Sequence, residues 1–217
     1  MAGAARGRAG AARARRGAAL LLALGLAACA LLHRASPPPP PAEPIPPPPA
    51  PAPLATPCTR IERIEVRKSE RRLVAECVGG GRLELPIALS REPGPKRRHG
   101  DQRAPEGDYR IVGYARPSRF HRFLPIDYPS DADADRALAE GRISESEREA
   151  IAAAHRGGSL PPQDTPLGGF VGFHGEGQRW QGDLDLDWTN GCFALEDEAM
   201  DQLAELTLPG TPVRIVP

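Results

Sequence analysis

Ile61-Glu62-Arg63-Ile64-Glu65-Val66 decides the fold class. Apolar and polar residues alternate through it, the pattern of a strand with one buried and one wet face. Arg72-Leu-Val-Ala-Glu-Cys77-Val78 follows after a short Ser/Glu turn, and Arg82-Leu-Glu-Leu-Pro-Ile-Ala-Leu89 after Gly79-Gly80-Gly81. Three such runs in succession read as an antiparallel meander. The glycine triplet is a hairpin connection and not a phosphate loop, because no Gly-Lys-Ser/Thr follows it. Tyr109–Tyr114 and Phe120–Ile126 carry the β pattern on, and Thr211–Val216 supplies a last strand.

Residues 131–157 interrupt this pattern. Their Ala/Asp/Arg/Glu content and the capping-box spacing Ser144-x-x-Glu147 predict two short helices, or one broken at Gly141. That segment either flanks the mouth of a functional cleft or stands in solvent away from it. Residues 157–169 form a Gly/Pro-rich loop, and Glu196–Leu208 has helical spacing of Met200, Leu203 and Leu206. The expected domain is therefore mainly β with two or three short helices, a sandwich or open barrel. It spans residues 58–217, a length that supports one core.

The N-terminus reads as an export signal. Arg6, Arg8, Arg13, Arg15 and Arg16 form a basic region without an acidic residue, and Ala18 to Ala28 a short apolar one. That apolar run is shorter than the roughly 20 residues a spanning helix needs. Leu26-Ala27-Ala28-Cys29 resembles a bacterial lipobox, which makes residues 1–28 a lipoprotein-type signal peptide and Cys29 the lipidated residue. Ordinary cleavage near Ala30 and an uncleaved anchor are the alternatives. Residues 29–57 are a linker, proline-rich from Pro37 onward. Proline lacks an N–H and fixes φ, so this stretch favours polyproline II and reaches roughly 60 Å. A proline-rich ligand for an aromatic groove is the other reading.

The whole chain has 28 basic and 28 acidic residues. Removing residues 1–28 takes away the five arginines named above and no acid, leaving 23 basic against 28 acidic, a charge near −5. That excludes the basic stripe of a nucleic-acid-binding protein. Asp183, Asp185 and Asp187 suggest a calcium loop, but Trp188 and Ala194 occupy its sixth and twelfth positions, where Gly and Glu belong. Zinc spacings are absent as well, so no metal and no cofactor are expected.

Chemistry points elsewhere, to His174-Gly175 and Asp187-Trp188-Thr189-Asn190-Gly191-Cys192-Phe193-Ala194. A cysteine attacks as its thiolate and needs a base or a positive field at neutral pH, which a histidine supplies. Glycines in both motifs let the backbone approach a substrate carbonyl and direct N–H groups at an oxyanion. Taken alone, a free Cys is more often a small buried hydrophobe. Of the four cysteines, Cys58 and Cys77 remain after Cys29 and Cys192. In an exported chain they form a disulfide or stay buried thiols, and the disulfide is expected.

These motifs resemble those of the L,D-transpeptidase (YkuD) catalytic domain family, in which His-Gly precedes Ser/Thr-x-Gly-Cys. Asp187-Trp188-Thr189-x-Gly191-Cys192 matches one branch of it. Gly100-Asp101 through Pro105, Gly107 and Tyr109 is similar to the family's G-D-x-x-T-P-x-G-x-Y, and Ser118–Pro129 to a further segment. The similarity spans roughly residues 60–217. Ala194 stands where many members have Arg, and Ala104 where many have Thr.

The resemblance implies a YkuD-like β-sandwich and, as partners, peptidoglycan stem peptides. Cys192 would be the nucleophile, His174 its base and the Gly175 carbonyl the group orienting the imidazole. Backbone N–H groups at Gly191 and Cys192 would form the oxyanion hole, with Asn190, Thr189, Trp188 and His121 about the substrate. Trp188 would stack on substrate or pack to fix the loop. The implied reaction is 3–3 cross-linking through a thioester. A carboxypeptidase or endopeptidase, and a catalytically weak wall-binding lipoprotein, are the alternatives. A monomer held at the cell envelope by the lipid on Cys29 completes the expectation.

Overall fold

The computed structural model describes residues 58–177 and 187–217. The signal peptide, Cys29, the linker, Asp183 and Asp185 lie outside the described residues. Among the described residues, nine strands form two sheets. The first holds β1 (Ile61–Arg67), β2 (Arg72–Cys77), β3 (Arg82–Pro86), β4 (Gly107–Arg110) and β9 (Pro212–Val216), in the order β3-β2-β1-β9-β4. The second holds β5 (Arg116–Ser118), β6 (His121–Pro125), β7 (Gly172–His174) and β8 (Phe193–Ala194), in that order. The meander β1-β2-β3 is antiparallel as expected, and the glycine triplet closes its second hairpin with Cys77 N–H donating to the Gly81 carbonyl. β9 pairs parallel to β1 and antiparallel to β4.

Ile61 and Ile64 are both buried although three residues apart, which strict alternation forbids. A bulge between Ile61 and Arg63 resolves this: one extra residue brings both isoleucines to the core face. Two expected strands are also shorter than their apolar runs. After β3, Ala88 bridges to Ala194 and Ser90 to Thr189; after β4, Ile111 bridges to Ile126. In each case the chain leaves the first sheet to pair with residues in or next to the strands of the second, or in the loop before β8. These crossings tie the sheets around a shared core that includes Ile64, Leu73, Ile87, Tyr109, Leu124, Phe173, Phe193 and Met200.

Helix α1 (Asp131–Ala139) and helix α2 (Glu145–Arg156) are separated near Gly141, and both begin with capping boxes, Ser130 with Asp133 and Ser144 with Glu147. They bury Ala134, Ala137, Ile143, Ile151 and Leu167 in a satellite cluster. No residue of either helix lines the cleft that holds Cys192; the loop after α2 does so, through Leu160, Gln163, Gly169 and Phe170. Helix α3 (Asp197–Leu206) turns Met200 and Leu203 into the main core.

Cys58 and Cys77 are disulfide-bonded, with Cα atoms 5.4 Å apart and a separation of 19 in sequence. The bridge fastens the segment leading into β1 to the end of β2, away from the cleft. Cys58→Ser or Cys77→Ser is expected to lower stability by about 3 kcal/mol, the chain-entropy scale for a loop of this size, with turnover retained. A thermal melt checks it: an unchanged melting temperature would mean that the bridge contributes nothing.

Candidate active site

The second sheet brings the expected nucleophile and base together. β7 and β8 run parallel, with Phe173 opposite Phe193 and His174 opposite Ala194. Carried one step back, that register sets Cys192 beside Gly172, on the face shared by His174 because side chains two apart point the same way. Cys192 and His174 both line one cleft of about 1010 Å³, together with Phe120, Trp188, Asn190 and Gly191.

His174 is held on every side. Its Nδ1 lies 2.7 Å from the Gly175 carbonyl. A carbonyl only accepts, so Nδ1 carries the hydrogen and Nε2 keeps the lone pair a base requires. The ring stacks on Phe120 with centroids 4.8 Å apart and meets Trp188 edge-on at 5.5 Å. Burial depresses the imidazole's proton affinity below the ordinary histidine value; the Gly175 bond opposes this and nearby Arg119 adds to it. Burial thus favours a neutral imidazole, and the Gly175 bond to Nδ1 keeps its lone pair on Nε2.

Cys192 is half-buried, and its thiol donates to the Phe170 carbonyl at 3.3 Å. Burial pushes this thiol up to about 11, against the opposing pull of the Gly172 N–H and Lys96. The resting pair is therefore thiol and imidazole rather than thiolate and imidazolium. Phe170 has φ 56°, uncommon for a residue with a side chain, and its own N–H donates to Gln163 Oε1. Sequence reasoning missed it, since a lone Phe after two glycines carries no recognisable signal.

The loop before Cys192 is braced from the first sheet's crossing strand. The Leu89 carbonyl accepts from the Trp188 and Thr189 N–H groups, and Leu89 N–H donates to Asp187 Oδ1. Asp187 also pairs with Arg71 at 2.7 Å, so this acid ties down the loop. Thr189 is buried; its hydroxyl donates to the Cys192 carbonyl at 2.7 Å and accepts from Gly191 N–H at 3.3 Å. Thr189 thus lines the cleft while its hydroxyl braces the turn, and that hydroxyl also engages the Gly191 N–H expected at an oxyanion. Gly191 itself is required, because at φ 137° a Cβ would sit 2.8 Å from the Arg103 carbonyl. Asn190 is exposed at the cleft and accepts from Arg91 at 3.3 Å. Trp188 packs on His174 and Phe120 and also lines the cleft.

His121 is a correction: it does not line the cleft. At the β5–β6 turn its φ is 65°, which breaks the strand's alternation and aims the ring at α3. Its Nε2 lies 2.8 Å from Asp201 Oδ1. The member of this Phe-His pair that lines the cleft is its neighbour Phe120, stacked on His174. Ala194 is fully buried in the sheet, paired with His174 and bridged to Ala88, so no guanidinium can come from that position. Other cations line the cleft instead, among them Arg91, Arg116 and Arg119.

No curated protein is matched by this chain. Among solved structures, it resembles the helical cell shape determining protein Pgp2 from Campylobacter jejuni, with a TM-score of 0.48 and 19% identity, covering 71% of this chain and 47% of that one. It is also similar to Bd1075 from Bdellovibrio bacteriovorus, with a TM-score of 0.45, 17% identity and coverage of 75% and 50%. The C442S mutant of the Enterococcus faecium L,D-transpeptidase gives 0.43, 14% identity and coverage of 72% and 50%. The chain thus spans about half the length of these solved chains. The sequence profile of the L,D-transpeptidase catalytic domain (YkuD) matches residues 61–215, most of the chain and all of the elements that build the cleft. The chain belongs to the YkuD family of L,D-transpeptidase catalytic domains.

Proposed function

We propose that this domain is a peptidoglycan L,D-transpeptidase acting through Cys192 on stem peptides. One observation carries the reading: His174, fixed by the Gly175 carbonyl with Nε2 as its free base, shares a cleft with a thiol too weakly acidic to ionise alone. His174 Nε2 takes the Cys192 proton as sulfur attacks the carbonyl carbon of the stem's third residue. The Cys192 N–H is the assigned oxyanion donor, since Gly191 N–H is engaged by Thr189. The C–N bond breaks, D-alanine leaves with the proton from His174, and a thioester remains. An amine of a second stem attacks the thioester, gives its proton to His174, and forms the 3–3 amide as the thiol is restored. Arg91, Arg116 and Arg119 provide a cationic lining suited to the carboxylates of such peptides.

Incubating the full chain with tetrapeptide muropeptides and resolving products by mass tests this. A cross-linked dimer with released D-alanine supports it. Tripeptide without dimer makes water the acceptor and the protein a carboxypeptidase. No change in the muropeptides, with Cys192 intact, would sink both readings and leave a wall-binding role.

The sequence of residues 1–57 supports export and lipid attachment at Cys29, with the proline-rich linker as spacer. Intact-mass measurement of membrane-extracted protein is expected to show a chain starting at Cys29 and carrying lipid. Protein that is wholly soluble, with an N-terminus beyond Cys29, would rule the tether out.

A further inference from the structure

The peptide group that holds His174 is itself held from behind. Its carbonyl, on Gly175, takes the imidazole Nδ1–H at 2.7 Å. Its N–H, on Glu176, donates to Asp197 Oδ1 at 2.8 Å, and the next N–H, on Gly177, donates to the same oxygen at 3.0 Å. Carbonyl and N–H of a planar peptide point in opposite directions. The Gly175–Glu176 amide therefore lies between a carboxylate and an imidazole, bonded to both. No side chain fits at Gly175: a Cβ there would stand 2.9 Å from His121 Cβ and closer still to Asp197 Oδ1.

We infer that Asp197 is a positioning residue for the Cys192–His174 pair, acting on His174 through the Gly175–Glu176 peptide. This inference rests on the pair being the working site proposed above. A carboxylate on the N–H side polarises the amide and makes its carbonyl a stronger acceptor, because hydrogen bonds in a chain reinforce one another in a low-dielectric setting. The stronger acceptor fixes the Nδ1–H tautomer and stabilises the imidazolium that forms once His174 takes a proton. Asp197 thus does at one remove what a carboxylate bonded directly to a catalytic histidine does in Ser-His-Asp sites. Its place in the first turn of α3 fits a bridging task rather than a cap: the N-cap, Glu196, makes no side-chain capping bond, and the Asp197 carboxylate reaches out to the neighbouring loop.

The other charged or titratable groups facing this unit come from the β5–β6 turn, the loop itself, β6, α3 and the turn before β8. Arg119 lies over the Phe120 ring at the β5–β6 turn, and Glu176 is within the loop. His121 and Arg122, from β6, direct their donors to Asp201 of α3 at 2.8 and 2.6 Å, while His121 Nδ1 stays 4.0 Å from Asp197 Oδ2. Cys192 lies across the cleft. Among the described residues, Asp197 is the only carboxylate hydrogen-bonded to the Gly175–Glu176 peptide.

Alkylation of Cys192 by iodoacetamide across pH, on the full chain, tests this without any peptidoglycan. Asp197→Asn keeps an oxygen for the two N–H groups and loses the charge; Asp197→Ala loses both. Asp197→Ala is expected to slow alkylation at pH 7 about tenfold, the scale of losing an outer carboxylate behind a functional histidine. Its acid limb should move to lower pH, since the imidazolium loses a stabilising charge. Asp197→Asn should recover most of the rate but keep the shifted limb, and on muropeptides it should lower kcat with KM unchanged. Wild-type alkylation profiles in both variants, or a lower melting temperature with the limb unmoved, would overturn the inference. Should Asp197→Ala fail to fold, Asp197→Asn decides alone. Failure of muropeptide turnover in the wild type would count against the proposed substrate and leave the alkylation result standing.

Discussion

Cys192→Ala is expected to abolish turnover while the fold stands. The substitution removes one sulfur from a half-buried position just before β8 and one hydrogen bond, to the Phe170 carbonyl. Neither the turn nor the sheet depends on that sulfur. The turn is closed by the Thr189 hydroxyl and Gly191, and β7 and β8 pair through Phe173 with Phe193 and His174 with Ala194. A loss of at least about 10⁴-fold in kcat is the scale for deleting a covalent nucleophile. The melting temperature should stay within a few degrees of wild type, in contrast to Cys58→Ser. Muropeptide turnover and a thermal melt, run on one preparation, separate the two cysteine roles. Turnover near the wild-type rate would dismiss the thioester mechanism, because among the described residues no other cysteine lines the cleft.

What could be read from the sequence was mainly local. Ser144 and Glu147 predict a helix start because the capping box closes within one turn, and α2 begins there. The same spacing at Ser130 and Asp133 escaped notice among the surrounding acids, yet it starts α1 in the same way. The meander was legible because each hairpin pairs neighbours in sequence. The crossings at Ala88–Ala194, Ser90–Thr189 and Ile111–Ile126 were not, since nothing along the chain marks which distant residue a shortened strand will meet. Those crossings brace the Cys192 loop and join the two sheets.

The candidate site divides along the same line. Cys192, His174 and Gly175 stood out because nucleophile, base and close backbone approach demand those residue types. Phe120 was hidden behind His121, the more reactive-looking member of its pair, until a left-handed φ at His121 turned that ring toward Asp201. Asp197 was read only as helix content. Its importance depends on α3 lying against the loop after β7, a contact between residues some twenty positions apart that no periodicity reports.

His174→Gln is expected to lower turnover by about 10²–10⁴-fold, the usual range for losing a general base. Glutamine preserves much of the ring's bulk against Phe120 and Trp188 but cannot accept the thiol proton. The loss should be large here because burial pushes the Cys192 thiol up to about 11. At pH 7 such a thiol is ionised to the extent of about one part in 10⁴. The pH dependence follows with its sign. In the wild type, His174 must be neutral to act, and burial depresses its pKa below the ordinary histidine value. Activity is therefore retained through neutral pH and lost as pH falls through that depressed pKa. In His174→Gln this acid limb should vanish, and iodoacetamide reactivity should climb with pH toward the thiol's own ionisation near 11. Two superimposed alkylation profiles would mean that His174 takes no proton from Cys192, whatever else it does in the cleft.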